Sequence, residues 1–177
     1  MEHPRPGDLV ITEIMADPKA AEDPKAEWFE VHVARTVDLN GLELGPDPET
    51  PKTVLGGPNC LKVVAGANVV FARSSDPTTN GGIAKVDYLF DFGLPNAGGS
   101  VFIGIGGEVL DQAYYPSARS GISTALDPAK LTQTENDNPA HWCASTAPFG
   151  VDPYTPLLRR PRSEAERGGV GDLGSPG

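Results

Sequence analysis

The chain has 177 residues, ample for one domain with a real core. Its 14 Lys and Arg face 24 Asp and Glu, a formal charge of −10 that counts against nucleic acid or an anionic membrane as the main ligand. The 18 Pro and 21 Gly punctuate short apolar runs, which suits many short strands joined by turns and argues against a helical bundle.

Residues 1–8 read as a polar N-terminal approach. Leu9, Ile11 and Met15 then alternate with Thr12 and other neighbours in a first strand that stops at Asp17-Pro18. Lys19 to Ala26 is a charged loop with one helical turn. Next, Phe29, Val31 and Val33 alternate with Glu30, His32 and Ala34, the period of two of a strand with one face on a core and the other toward water. Leu39, Leu42 and Leu44 resume around Asn40-Gly41, a dipeptide that readily supplies positive φ for a tight turn or bulge.

Gly45 to Asn59 holds only Val54 and Leu55 as an apolar pair, so a loop with at most one short strand is expected. Val63, Val64 and the consecutive Val69, Val70 and Phe71 surround a turn at Gly66-Ala67-Asn68, and the second segment reads as a central strand. After a polar loop from Ser74 to Gly82, Val86, Tyr88 and Phe90 alternate with Asp87, Leu89 and Asp91. Val101, Ile103 and Ile105 lead through Gly106-Gly107 into Val109 to Tyr115, a hairpin. A helical turn is expected over Leu126 to Leu131 and a short last strand over Trp142 to Ala144. Beyond Gly150 the composition turns to Pro, Arg and Glu without a buried period, and reads as a surface excursion.

Several of these segments together resemble one family. ITEIMADP (Ile11 to Pro18), EWFEV (Glu27 to Val31) and VDLNGLEL (Val37 to Leu44) are similar, in that order, to the opening of bacterial lamin tail domains. Leu94 to Ile105, the approach Asn136 to Trp142 and the closing Gly174-Ser175-Pro176-Gly177 resemble later parts of the same pattern. His32-Val33 replaces the family's Tyr-Asn, and Leu42 its corner Trp. The resemblance implies an all-β fold, an immunoglobulin-like β-sandwich of Greek-key type with about seven to nine strands over residues 9–150. Residues 151–177 would form the excursion and closing segment. It also implies a module for binding or surface attachment in an exported bacterial protein, extracellular or in the cell envelope, with its leader removed. MEHPRPGD itself lacks a basic region followed by an apolar run, and no stretch of about 18 apolar residues marks a membrane-spanning helix. An exported domain with two cysteines usually pairs them, so a Cys60–Cys143 disulfide is expected.

Chemistry-bearing motifs are sparse. HExxH, GxSxG and GxxxxGK[ST] are missing, and Gly104-Ile105-Gly106-Gly107 lacks the third glycine of a dinucleotide fingerprint and precedes a strand. His3, His32 and His141 lie too far apart in sequence to share a strand or helix face for zinc. Glu13 and Glu30 can face each other across adjacent strands, yet acid–base work needs a cleft that desolvates one of them. No catalytic residue is assigned, and Glu13, Glu30, Glu43, Asp87 and Asp91 read as an acidic exposed surface. Calcium is the one candidate cofactor, through Asp17 and Asp23 in one loop and Glu135 and Asp137 in another, because hard cations need several converging oxygens. The expected partner is a protein or other cell-surface ligand, with neither nucleic acid nor membrane insertion. It would be met by loops carrying Lys19, Lys25, Ser74 and Asp76, or by an extended peptide along a sheet edge. An accessory domain of a secreted nuclease or phosphatase, its catalytic part outside this chain, is the alternative.

Overall fold

A computed structural model describes residues 2–19 and 21–145. Residues 146–150, the excursion and the closing segment therefore lie outside the described residues. Among the described residues, twelve strands form an all-β sandwich: β1 (Leu9–Met15), β2 (Trp28–Val33), β3 (Val37–Asp38), β4 (Leu42–Gly45), β5 (Thr53–Val54), β6 (Lys62–Val63), β7 (Asn68–Ala72), β8 (Tyr88–Leu89), β9 (Gly99–Ile105), β10 (Glu108–Tyr115), β11 (Thr124–Leu126) and β12 (Trp142–Ala144). Four of them, β3, β5, β6 and β8, are two-residue pairings.

One sheet runs β12-β11-β1-β2-β7-β8, the facing sheet β10-β9-β4-β5, and β3 pairs β6 apart from both. Between them lies the main core, to which Phe29, Val31 and Phe71 come from one sheet and Leu42, Leu44, Val101, Ile103 and Leu110 from the other. Phe29 stacks on Phe71 at 4.9 Å between ring centroids and tilts against Phe90 at 5.2 Å. The hairpin of β9 and β10 turns at Gly106 and Gly107, with φ of 58° and 83°, conformations a side chain would resist.

The N-terminal approach is tied down. Arg35 donates to both carboxylate oxygens of Asp8, at 2.9 and 2.7 Å, and to Glu2 at 2.8 Å, while the Asp38 N–H donates to the Glu2 carbonyl at 3.0 Å.

The period of two in β2 does not leave its second face in water. Met15, Trp28, Val70, Ala72 and Ile83 form a smaller core on the outer face of the six-stranded sheet, beneath the segment that carries Ile83 and Val86. Glu13 and Glu30, expected at the surface, are consequently 0% and 1% exposed. Glu43 and Asp87 are half-buried, and of the five carboxylates only Asp91 is exposed as expected. The expected strand around Val86 to Asp91 shrinks to β8, which lies parallel to β7; Val86 packs on the second core, while Tyr88 and Phe90 turn to the main core. The helical turn expected over Leu126 to Leu131 is displaced. Thr124 to Leu126 instead adds β11 beside β1, and the turn forms at α2 (Gln133–Asn136), capped by Thr132. Leu126 is buried in the sheet, Asp127 accepts from the Ala129 N–H at 2.9 Å in a local turn, and Thr132 caps α2 by accepting from the Glu135 N–H.

The expected disulfide is absent: Cys60 and Cys143 are both free and exposed. A bridge needs Cα atoms within about 7 Å, but the two lie on different parts of the sandwich. Cys143 sits on β12 at the rim of the six-stranded sheet, and Cys60 lies against Asp38 of the small β3–β6 pair. Thiol titration of denatured, unreduced protein should find both thiols free; a result of none would restore the bridge.

Candidate functional site

β12 and β10 are the outermost strands of the two sheets on one side of the sandwich, and a groove of about 420 Å³ opens between them. Its walls are Tyr114, Pro116, Ile122 and Trp142, and among the described residues its one charged lining residue is Arg119. Tyr114 is 66% exposed, the most exposed of the large apolar side chains among the described residues. The alternation that places Ala113 and Tyr115 in the core directs Tyr114 outward, so its ring is available without cost to the fold.

Among the described residues, β12 has no strand partner on the groove side. His141 and Ser145 bond β11 through Asp127 N–H to His141 O at 2.8 Å and Ser145 N–H to Ser123 O at 2.9 Å. In an antiparallel ladder the residues between then point their backbone groups the other way, here Trp142 and Ala144. The Trp142 N–H is taken by the Pro139 carbonyl in the 3-10 turn Pro139–His141. Among the described residues no strand pairs with the far side of β12.

Beneath the groove lies a buried polar seam. β1 pairs β11 only at Glu13 and Ile14, so Ile11 has no neighbouring strand on that side. Side chains stand in for it: Asp111 Oδ2 accepts from the Ile11 N–H at 2.7 Å, and Asn136 Nδ2 donates to the Ile11 carbonyl at 3.2 Å and to Asp111 Oδ2 at 2.7 Å. Asn136 also holds the groove wall, because its carbonyl accepts from Trp142 Nε1 at 2.7 Å. Burial pushes the Asp111 carboxyl up to about 7, against the donors from Ile11 and Asn136 and with help from the charge of Asp137.

On the outer face Glu13 and Glu30 are register partners, as their spacing allowed. A bulge at Thr12 sits beside them, and the Thr12 hydroxyl donates to Glu30 Oε1 at 2.9 Å. Ser123 donates to Glu13. Burial raises Glu13 well above the carboxylate range and Glu30 to about 7. The pair is desolvated by packing, and among the described residues both side chains are buried.

The calcium candidates are not gathered. The Asp23 carboxylate accepts from Asn96 Nδ2 at 2.7 Å, and the Asp17 carbonyl accepts from the Gly121 N–H at 2.7 Å. Glu135 is tied to Lys130 at 3.2 Å and His141 at 3.0 Å, and Asp137 closes α2. Among the described residues no three His, Cys, Asp or Glu side chains converge as a metal site.

The two loops singled out in sequence do adjoin. Arg73 Nε donates to the Pro24 carbonyl at 3.1 Å, and Ala21, Glu22, Lys25, Thr78 and Thr79 line a small hollow of about 270 Å³. Their polar groups are engaged with one another: Lys25 pairs Glu22 at 3.0 Å, Ser74 bonds Thr79 at 2.9 Å, and Asp76 accepts from the Thr78 N–H at 2.9 Å. Lys19 is exposed beside them.

No family model, curated protein or solved structure matches the chain. No helix among the described residues is long and apolar enough to cross a membrane.

Proposed function

We propose that this chain is a non-catalytic recognition module that binds an extended peptide segment of a partner protein in the groove between β10 and β12. The observation that carries the reading is the coincidence, among the described residues, of a strand edge unpaired by any strand at the Trp142 carbonyl and at Ala144 with apolar walls at Tyr114, Pro116 and Ile122. An added strand gains main-chain hydrogen bonds from such an edge and specificity from alternate side chains seated in the walls. Arg119, the only charge in the lining among the described residues, fits a carboxylate on the bound segment. The loop hollow is smaller, and its polar groups already satisfy one another, so the edge is favoured over the loops. The resemblance to bacterial lamin tail domains supports the same class, an attachment or recognition module of an exported protein.

Selection from displayed random dodecapeptides on the full chain, followed by fluorescence anisotropy with a selected peptide, tests the reading. Tyr114→Ala should weaken binding about tenfold or more, as truncating an aromatic anchor does, while its exposed position leaves the fold intact. Arg119→Glu should weaken peptides that carry a carboxylate. Peptides that bind both variants as well as the parent would place recognition elsewhere.

A further inference from the structure

We infer that Asp111 and Asn136 form a neutral acid–amide pair that positions Trp142, so that the groove keeps this wall while Asp111 holds its proton and loses it as the carboxyl ionises. The consequence for binding rests on the groove reading above; the geometry does not.

Two buried oxygens in the seam, Asp111 Oδ1 and Asn136 Oδ1, have no hydrogen-bond partner among the described residues. They belong to two groups already joined by a hydrogen bond through Asn136 Nδ2 and Asp111 Oδ2. An ionised carboxylate and an amide oxygen are both acceptors, so neither orphan can satisfy the other while Asp111 is charged. A proton on Asp111 Oδ1 changes this. The hydroxyl so formed donates to Asn136 Oδ1, the amide donates back to Oδ2, and one cyclic pair satisfies both oxygens. Turning the amide over offers no escape, because Nδ2 is held between two acceptors, Asp111 Oδ2 and the Ile11 carbonyl.

The surroundings favour the neutral form. Asp111 is 0% exposed. β9, its partner strand, carries no charged residue. From α2, Asp137 adds a like charge, while Glu135 is tied to Lys130 and His141. Glu13, on β1, points to the opposite face with Glu30. Within β10 the Gln112 N–H approaches the carboxyl without hydrogen-bond geometry to Oδ1. Ionisation therefore leaves a charge facing an amide oxygen and Asp137 with no new donor. The residue that yields is Asn136, whose carbonyl holds the Trp142 indole.

The test uses the full chain without ligand, so its outcome is independent of whether any peptide binds. The ¹³Cγ resonance of Asp111 should report a neutral carboxyl at about pH 5.5 and titrate near neutrality. The Trp142 indole N–H resonance should move with the same midpoint. Asp111→Asn supplies an amide that reproduces the neutral acid's donor and acceptor, and should hold the indole at its low-pH position throughout. It leaves Glu135 and His141 in place, so an indole response that persists in the variant belongs to them and overturns the assignment. An Asp111 carboxyl already ionised at about pH 5.5 overturns it from the parent chain alone, whether or not the variant folds. Peptide affinity unchanged across an indole transition would remove the groove reading and leave the positioning role standing.

Discussion

Stability is expected to fall as the pH rises from about 5 to about 8, the reverse of the common acid-labile pattern. Four carboxyls are responsible. Glu30 and Asp111 are pushed up to about 7 by burial, Glu27 to about 7 by burial against the Leu94 N–H and Arg73, and Glu13 is raised well above its ordinary value, again by burial. Unfolded, they release their protons near 4. Between these limits the native state binds more protons than the unfolded state, so the free energy of unfolding declines with each step in pH. Below the unfolded values the penalty is absent, and above the folded values it is present in full. A group moved by two to three pKa units contributes on the order of 3 kcal/mol, and the four do not simply add because Glu13 and Glu30 adjoin.

Asp8, held down by Arg35, and Asp38 and Asp76, held down by hydrogen bonds from Asn40 and Thr78, act in the opposite sense and lose their contribution as pH falls through their native values. The optimum should therefore lie at about pH 4 to 6. Urea unfolding across a pH series checks this, and Glu30→Gln should stabilise the protein at about pH 8 while changing little at about pH 5. A flat profile over that range would mean that the four carboxyls are not desolvated in solution.

The sandwich was legible because local signals and burial agree in most strands. Alternation in Phe29 to Val33, the Gly106-Gly107 turn and the consecutive Val69 to Phe71 each lead to one answer, and β2, the β9–β10 hairpin and β7 follow. β11 was hidden because Thr124, Ala125 and Leu126 are too few to show a period, and only the open side of β1 makes them a strand. The burial of Glu13 and Glu30 was hidden for a related reason. A period of two says which residues share a face, but the cover over the second face comes from Ile83 and Val86, more than fifty residues from Glu30 and with no pattern linking the two.

The site was less legible. Asn136 and Trp142 stand in a segment whose Asn and Asp read first as turn formers, with calcium ligation the minority alternative. Their true connection, side chain to Asp111 and carbonyl to indole, crosses from α2 to β10 and β12 and leaves no spacing to find. Tyr114 was visible as an outward position of a strand, but its role depends on β12 arriving beside β10.

Phe29→Ala is expected to cost about 3 to 5 kcal/mol, a large part of the total stability of a domain of this size. Phe29 is 0% exposed and meets Phe71 at 4.9 Å with the rings 2° from parallel, Phe90 at 5.2 Å and Phe92 at 6.5 Å. These rings come from β2, β7 and the chain beyond β8, so the deleted side chain leaves a cavity whose walls are fixed by separate elements and cannot collapse together. Leu89→Ala is the control: its side chain is 48% exposed, and its loss should stay within about 0.5 kcal/mol. Phe71→Ala should be nearly as costly as Phe29→Ala, and the double variant should cost less than the sum, because each single change already breaks the stack. The measurement is the urea midpoint of each variant at about pH 5.5, where the buried carboxyls are largely neutral and do not confound it. A loss below about 1 kcal/mol for Phe29→Ala would show that the aromatic cluster does not hold the two halves of the six-stranded sheet together, and the cavity argument would fail with it.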